Sequence, residues 1–143
     1  MKSIGFKTVI ILCISASCLI SCDASSTAPY WMHLGTENGD LAVPGQSRQQ
    51  TACLILDVNN DGLNDIVVGS RKKGSSLVWY KRQKGTWCKH AIEPETLRIE
   101  AGGACHDIDG DGDPDLVFGA DSGDNKIWWW ENPFPDFKHS WKR

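Results

Sequence analysis

Two nine-residue runs share one spacing and one chemistry. In Asp57-Val58-Asn59-Asn60-Asp61-Gly62-Leu63-Asn64-Asp65, and again in Asp107-Ile108-Asp109-Gly110-Asp111-Gly112-Asp113-Pro114-Asp115, oxygen-bearing side chains occupy positions 1, 3, 5 and 9, and glycine occupies position 6. Oxygens so spaced can wrap a hard cation such as Ca²⁺, which takes six to eight of them at roughly 2.3–2.6 Å. Position 7 would add its backbone carbonyl, which is why an apolar side chain is tolerated there. The candidate metal ligands are therefore Asp57, Asn59, Asp61, Leu63 and Asp65 in the first loop, and Asp107, Asp109, Asp111, Asp113 and Asp115 in the second. At the side-chain positions the second loop has a carboxylate wherever the first has one, and Asp109 in place of the amide Asn59, so it is expected to bind more tightly.

Bare, these loops would strain themselves. Two like charges about 5 Å apart repel by roughly 3 kcal/mol at an effective dielectric near 20, so a cation would be part of the structure. Asp, Asn and Gly are also ordinary turn residues, but recurrence in register argues against two unrelated acidic turns. An EF-hand is excluded, because that motif needs a bidentate Glu at position 12, where this chain has Val68 and Phe118.

The elements that must hold these loops are short strands. After position 9 come Ile66-Val67-Val68 and Leu116-Val117-Phe118, β-branched or bulky runs that stop at Gly69 and Gly119. Such runs read as buried strands. Cys53-Leu54-Ile55-Leu56 leads into the first loop, and residues 100–106 lead into the second. Further strands are expected at Ser76 to Tyr80, Thr86 to Ile92, Lys126 to Trp130 and Ser140 to Arg143. A shift of 50 places Asp57, Asp61, Gly62, Asp65, Val67, Gly69 and Trp79 on Asp107, Asp111, Gly112, Asp115, Val117, Gly119 and Trp129. A period near 50 with about four short strands per unit marks an all-β chain of propeller blades. Blades bury their faces only by stacking, so Trp79, Tyr80, Trp87, Trp128, Trp129, Trp130 and Trp141 are expected mainly in the core, with Trp128 and Trp130 on one face and Trp129 on the other. The competing use of such rings is stacking on sugars.

The chain has 143 residues and a formal net charge of −3, with no basic patch, so nucleic acid is not an expected partner. Lys2 and Lys7 followed by the apolar run Thr8 to Ile20 make residues 1–21 a signal peptide, too short for a comfortable membrane span of ~20 residues. Leu19-Ile20-Ser21-Cys22 resembles the lipobox of bacterial lipoproteins. That resemblance implies a lipid on Cys22, a tether over 22–29 and a membrane-anchored, exported domain over 30–143; an ordinary signal peptide cut near Ser21 or Ala24 is the alternative. Cys53, Cys88 and Cys105 then remain, and small core residues are a more natural reading than one disulfide with a leftover thiol. His33, His90, His106 and His139 show no zinc spacing; His106 and Glu100 could line a channel mouth, but an ordinary hydrogen-bonded His is the plainer reading of His106.

Residues 48–143 closely resemble the FG-GAP/VCBS repeat family, whose blades carry an Asp-x-Asp/Asn-x-Asp-Gly-x-x-Asp calcium loop between their first two strands. Repeats near 48–92 and 98–143 match at every ligand position. Trp129-Trp130-Glu131-Asn132-Pro133 is similar to a segment of exported members, some of them similar to aldos-2-ulose dehydratases. The resemblance implies an exported calcium-binding module that binds carbohydrate or protein; a fragment of a sugar-active lyase or hydrolase is the alternative. Propellers typically close with about 4–8 blades, and this length holds two and part of a third. Other blades, in a missing stretch of chain or in another copy, are therefore expected to complete the fold. Trp31-Met32-His33-Leu34 resembles Trp87-Cys88-Lys89-His90-Ala91-Ile92, and is expected to be the last strand of a blade.

Overall fold

A computed structural model describes residues 29–143; the proposed signal peptide, Cys22 and all of the tether except Pro29 lie outside the described residues. Seven strands follow in order: β1 Gln50–Leu56, β2 Asp65–Ser70, β3 Leu77–Gln83, β4 Thr86–Glu93, β5 Ile99–His106, β6 Asp115–Ala120 and β7 Ile127–Trp130. They form two antiparallel meanders, a four-stranded sheet in the order β1-β2-β3-β4 and a three-stranded sheet in the order β5-β6-β7. Each candidate metal loop joins the first two strands of its sheet. The repeat is kept in the pairing: Leu56 faces Asp65 as His106 faces Asp115, and Val67 faces Trp79 as Val117 faces Trp129.

Three expectations are corrected. Residues 31–34 form no strand; a short segment becomes one only on a ladder, and it has none among the described residues. The closing strand expected at 140–143 is reduced to one bridge, Glu131 to Lys142. The connection to it contains Pro133 and Pro135, which lack the N–H a ladder needs. Cys53, Cys88 and Cys105 are free, but Cys53 and Cys105 are exposed and Cys88 only half-buried, so none is a core residue. All three lie on edge strands, Cys53 on β1, Cys88 on β4 and Cys105 on β5.

Alternation along the strands decides which side chains the sheets bury against each other. Ala52, Leu56, Val67, Leu77 and Trp79 of the first sheet share a core with Ile99, Leu116, Phe118 and Trp130 of the second. Contact is close at two glycines. A Cβ on Gly69 would lie 3.0 Å from Ile99 Cγ2, and one on Gly103 would lie 2.5 Å from the Phe118 ring. The opposite face of the second sheet is open: Ile127 is 76% and Trp129 39% exposed, while their repeat counterparts Leu77 and Trp79 are buried at 0% and 2%.

Polar ties lock the same joint. The Asp121 carboxylate, with no exposed surface, accepts from Arg71 Nε at 3.0 Å and from Arg98 Nη2 at 2.6 Å. Arg71 also pairs with Glu100 at 3.3 Å, so Glu100 is engaged in structure. Thr51 Oγ1 donates to the Ile99 carbonyl at 2.6 Å. Glu93 accepts from Trp130 Nε1 at 3.3 Å and from Arg143 Nη1 at 2.6 Å.

His90 packs on Trp79 with ring centroids 4.8 Å apart. Burial lowers the affinity of its imidazole for a proton, Lys81 adds to this and Asp65 opposes it. The unfolded chain therefore takes up a proton more readily than the folded one. Support for the fold from neutral His90 is complete above about pH 6.5 and is lost as pH falls through the lower folded value. Thermal unfolding at pH 7.5 and 5.5 should show a smaller acid loss in His90→Gln than in the wild type; equal losses would remove His90 from the account.

Candidate metal centre

Both loops turn by the same backbone device. The fourth position is left-handed in each, Asn60 at φ 53° and Gly110 at φ 83°, and so is the sixth, Gly62 at φ 83° and Gly112 at φ 98°. Asn tolerates this conformation and glycine takes it without steric cost. The sixth position was legible as a required glycine. The fourth was not, although its two residue types are those that favour a positive φ.

Position 1 organises each turn. Asp57 accepts from Asp61 N at 3.1 Å and from Gly62 N at 2.7 Å; Asp107 accepts from Gly110 N at 2.7 Å and Gly112 N at 3.0 Å. Position 5 repeats the motif on a smaller scale, Asp61 accepting from Leu63 N at 3.0 Å and Asp111 from Asp113 N at 3.2 Å. In the second loop Asp107, Asp109 and Asp111 each offer a carboxylate oxygen within 4.8 Å of the others, a grouping that could hold a divalent ion. Asp57, Asp61 and Asp65 form no such group. Asn59 stands between them, with its Nδ2 donating to Asp61 Oδ2 at 2.8 Å.

Position 9 sits deeper. Asp65 is fully buried and accepts from Val58 N at 3.3 Å, Trp79 Nε1 at 2.9 Å and Arg82 N at 2.6 Å. Asp115, 1% exposed, accepts from Ile108 N at 3.1 Å and Asn132 N at 2.9 Å. Each therefore joins the start of its loop to the end of its sheet's third strand. Burial raises the Asp65 pKa, with the three donors opposing.

One oxygen in each loop is buried with no donor: Asn59 Oδ1 and Asp113 Oδ1. Such an atom carries a desolvation cost of roughly 1–3 kcal/mol unless something meets it. Asp113 is only 3% exposed, and desolvation followed by the charges of Asp111, Asp115, Asp109 and Asp107 pushes its carboxyl up to about 6. Asp61 moves the other way, held low first by the Asn59 hydrogen bond. The donor set is hard oxygen throughout, the buried acceptors lack partners, and the acidic neighbours repel one another. A hard divalent cation answers all three conditions. Leu63 differs from Asp113 in being 37% exposed, consistent with a position whose side chain is free to vary.

Two roles were invisible to pattern reading. Asn132 is 3% exposed and lies among residues of both loops; the Trp129-to-Pro133 segment marked it as part of a motif, but nothing in the motif said that its side chain bridges the loops. The Asp121 clamp joins residues 50 and 23 positions apart, beyond any local motif. No family model, no curated protein and no solved structure matches the chain.

Proposed function

We propose that the protein is an exported calcium-binding protein of FG-GAP/VCBS type, with one Ca²⁺ in each loop, acting as a binding or adhesion module for a carbohydrate or protein partner. The observation that carries the metal reading is the grouping of the Asp107, Asp109 and Asp111 carboxylates in the second loop, whose turn the first loop repeats in register with a buried, donorless ligand oxygen at Asn59. Chemistry of this kind takes calcium with dissociation constants of ~10⁻⁴–10⁻³ M in extracellular modules. At about millimolar Ca²⁺ that is roughly 0.4–1.4 kcal/mol of added stability per site, enough to tune a blade rather than to create it. Calorimetric titration should register binding, tighter in Asp57→Ala, where the second loop remains, than in Asp107→Ala. Thermal unfolding should shift upward against a chelated control. No heat and an unmoved midpoint would sink the metal reading.

Support for a carbohydrate partner comes from a cleft of about 550 Å³ between β4 and residues 137–141, lined in part by His90, Phe137, His139, Ser140 and Trp141. Its lining is mostly polar with a few aromatic rings, a mixture suited to a sugar, whose hydroxyls need hydrogen-bond partners while its ring faces are apolar. A glycan array should show retention that falls in Trp141→Ala; an array blank for the wild type would favour a protein partner.

Export and anchoring rest on Lys2, Lys7, the apolar run to Ile20 and Leu19-Ile20-Ser21-Cys22. Lipid on Cys22 would leave the blades outside the membrane on a short tether. Metabolic labelling with a fatty acid should mark the wild type and not Cys22→Ala, and label in neither would leave a soluble secreted protein.

A further inference from the structure

We propose that the two metal loops are energetically coupled through Asn132, so that filling one strengthens binding at the other. This rests on the calcium reading above. A continuous run of hydrogen bonds joins the two position-9 carboxylates. Asp115 Oδ1 accepts from Asn132 N at 2.9 Å, and Asn132 Nδ2 donates to the Val58 carbonyl at 2.9 Å and to the Pro114 carbonyl at 3.1 Å. Val58 N in turn donates to Asp65 Oδ2 at 3.3 Å. Val58 and Asp65 have no exposed surface, Asp115 has 1% and Asn132 3%, so water does not compete for these bonds. Val58 and Pro114 are the second and eighth residues of their loops, and each adjoins a candidate ligand on both sides.

Arg82, the counterpart of Asn132, makes only half of this arrangement. Its backbone N–H meets Asp65 Oδ1 at 2.6 Å, but its exposed guanidinium lies 5.9 Å from the Trp87 ring and reaches neither loop's carbonyls. The side-chain bridge is therefore particular to position 132. A cation that fixes Asp115 and the backbone beside it fixes both ends of Asn132, and through Val58 it fixes Asp65. The ordering cost is then met once for two sites, and the second ion binds to a loop already set. Asn132 is a positioning residue, without contact to an ion.

The test is calorimetric Ca²⁺ titration of the full chain as wild type, Asp57→Asn and Asp107→Asn, each with and without Asn132→Ser. Disabling the second loop is expected to weaken the first by about 5–10-fold when Asn132 is present, and by less than about twofold with Asn132→Ser, which retains the backbone donor but spans neither carbonyl. Two bound ions with an unchanged coupling ratio in Asn132→Ser would overturn the inference and leave the calcium reading intact. No ion bound by the wild type would overturn both. If circular dichroism shows Asn132→Ser to be unfolded, Asn132→Asp, which keeps the shape and loses both side-chain donors, takes its place. If that variant is unfolded too, the cycle between the two loops in the Asn132 background decides: a ratio of one overturns the coupling, and a ratio above about 5 supports it.

Discussion

Asp65→Ala is expected to cost about 3 kcal/mol or more of unfolding free energy in chelator, and roughly 0.4–1.4 kcal/mol more in calcium, where a ligand is lost as well. The substitution leaves Val58 N, Trp79 Nε1 and Arg82 N without their acceptor, and a buried donor stripped of its partner costs roughly 1–3 kcal/mol. Against a domain stability of about 5–15 kcal/mol the loss is large. A carboxylate serving only a metal would behave otherwise, since its removal would cost nothing once calcium was gone. Urea unfolding of wild type and variant in chelator separates the two roles. Coincident curves there would show that the three donors find other partners.

Trp130→Ala is expected to cost about 3–5 kcal/mol, the usual range for emptying a buried aromatic site. The ring lies 6.1 Å from Phe118 and 6.5 Å from Trp128, and its Nε1 donates to Glu93 of the other sheet. The cavity would open where the sheets meet, and Glu93 would retain Arg143 as a partner. Trp129→Ala, one residue earlier on a face 39% exposed, should cost less than about 1 kcal/mol, as for surface substitutions away from special features. Urea midpoints of the two variants make the comparison, and similar losses would mean that the second sheet packs by its other face.

These two tryptophans show how far the sequence could be read. Strand alternation separates Trp129 from Trp128 and Trp130 without any structure. Which face is covered depends on a sheet some fifty residues away, and no local pattern carries that. The two acidic turns, the strands beside them and the shared register were legible because each is set within a dozen residues by turn chemistry and apolar runs. The strand expected at 31–34 and the closing strand expected at 140–143 had the right residue types, but a strand also needs a neighbour with free donors and acceptors. Cys53 and Cys105 were misplaced for a related reason: an edge strand can expose a residue that elsewhere would be inside. Within the site, the grouping of Asp107, Asp109 and Asp111 followed from spacing, whereas the depth of Asp65 and Asp115 and the bridge from Asn132 came from packing between sheets.

The Asp121 clamp has a bearing on where such a protein could work. Dissolved electrolyte weakens attraction between charges it can surround, and reaches sheltered charges far less. Lys142 with Glu131 and Lys126 with Asp124 lie open to it, with side-chain exposures of 78% and 62% on the lysines. Asp121 offers none of its side chain to solvent and Arg71 only 27%, while Arg98 is 55% open, so the Arg71 half of the seam should hold in brine that has already dissolved the protein's outer ion pairs.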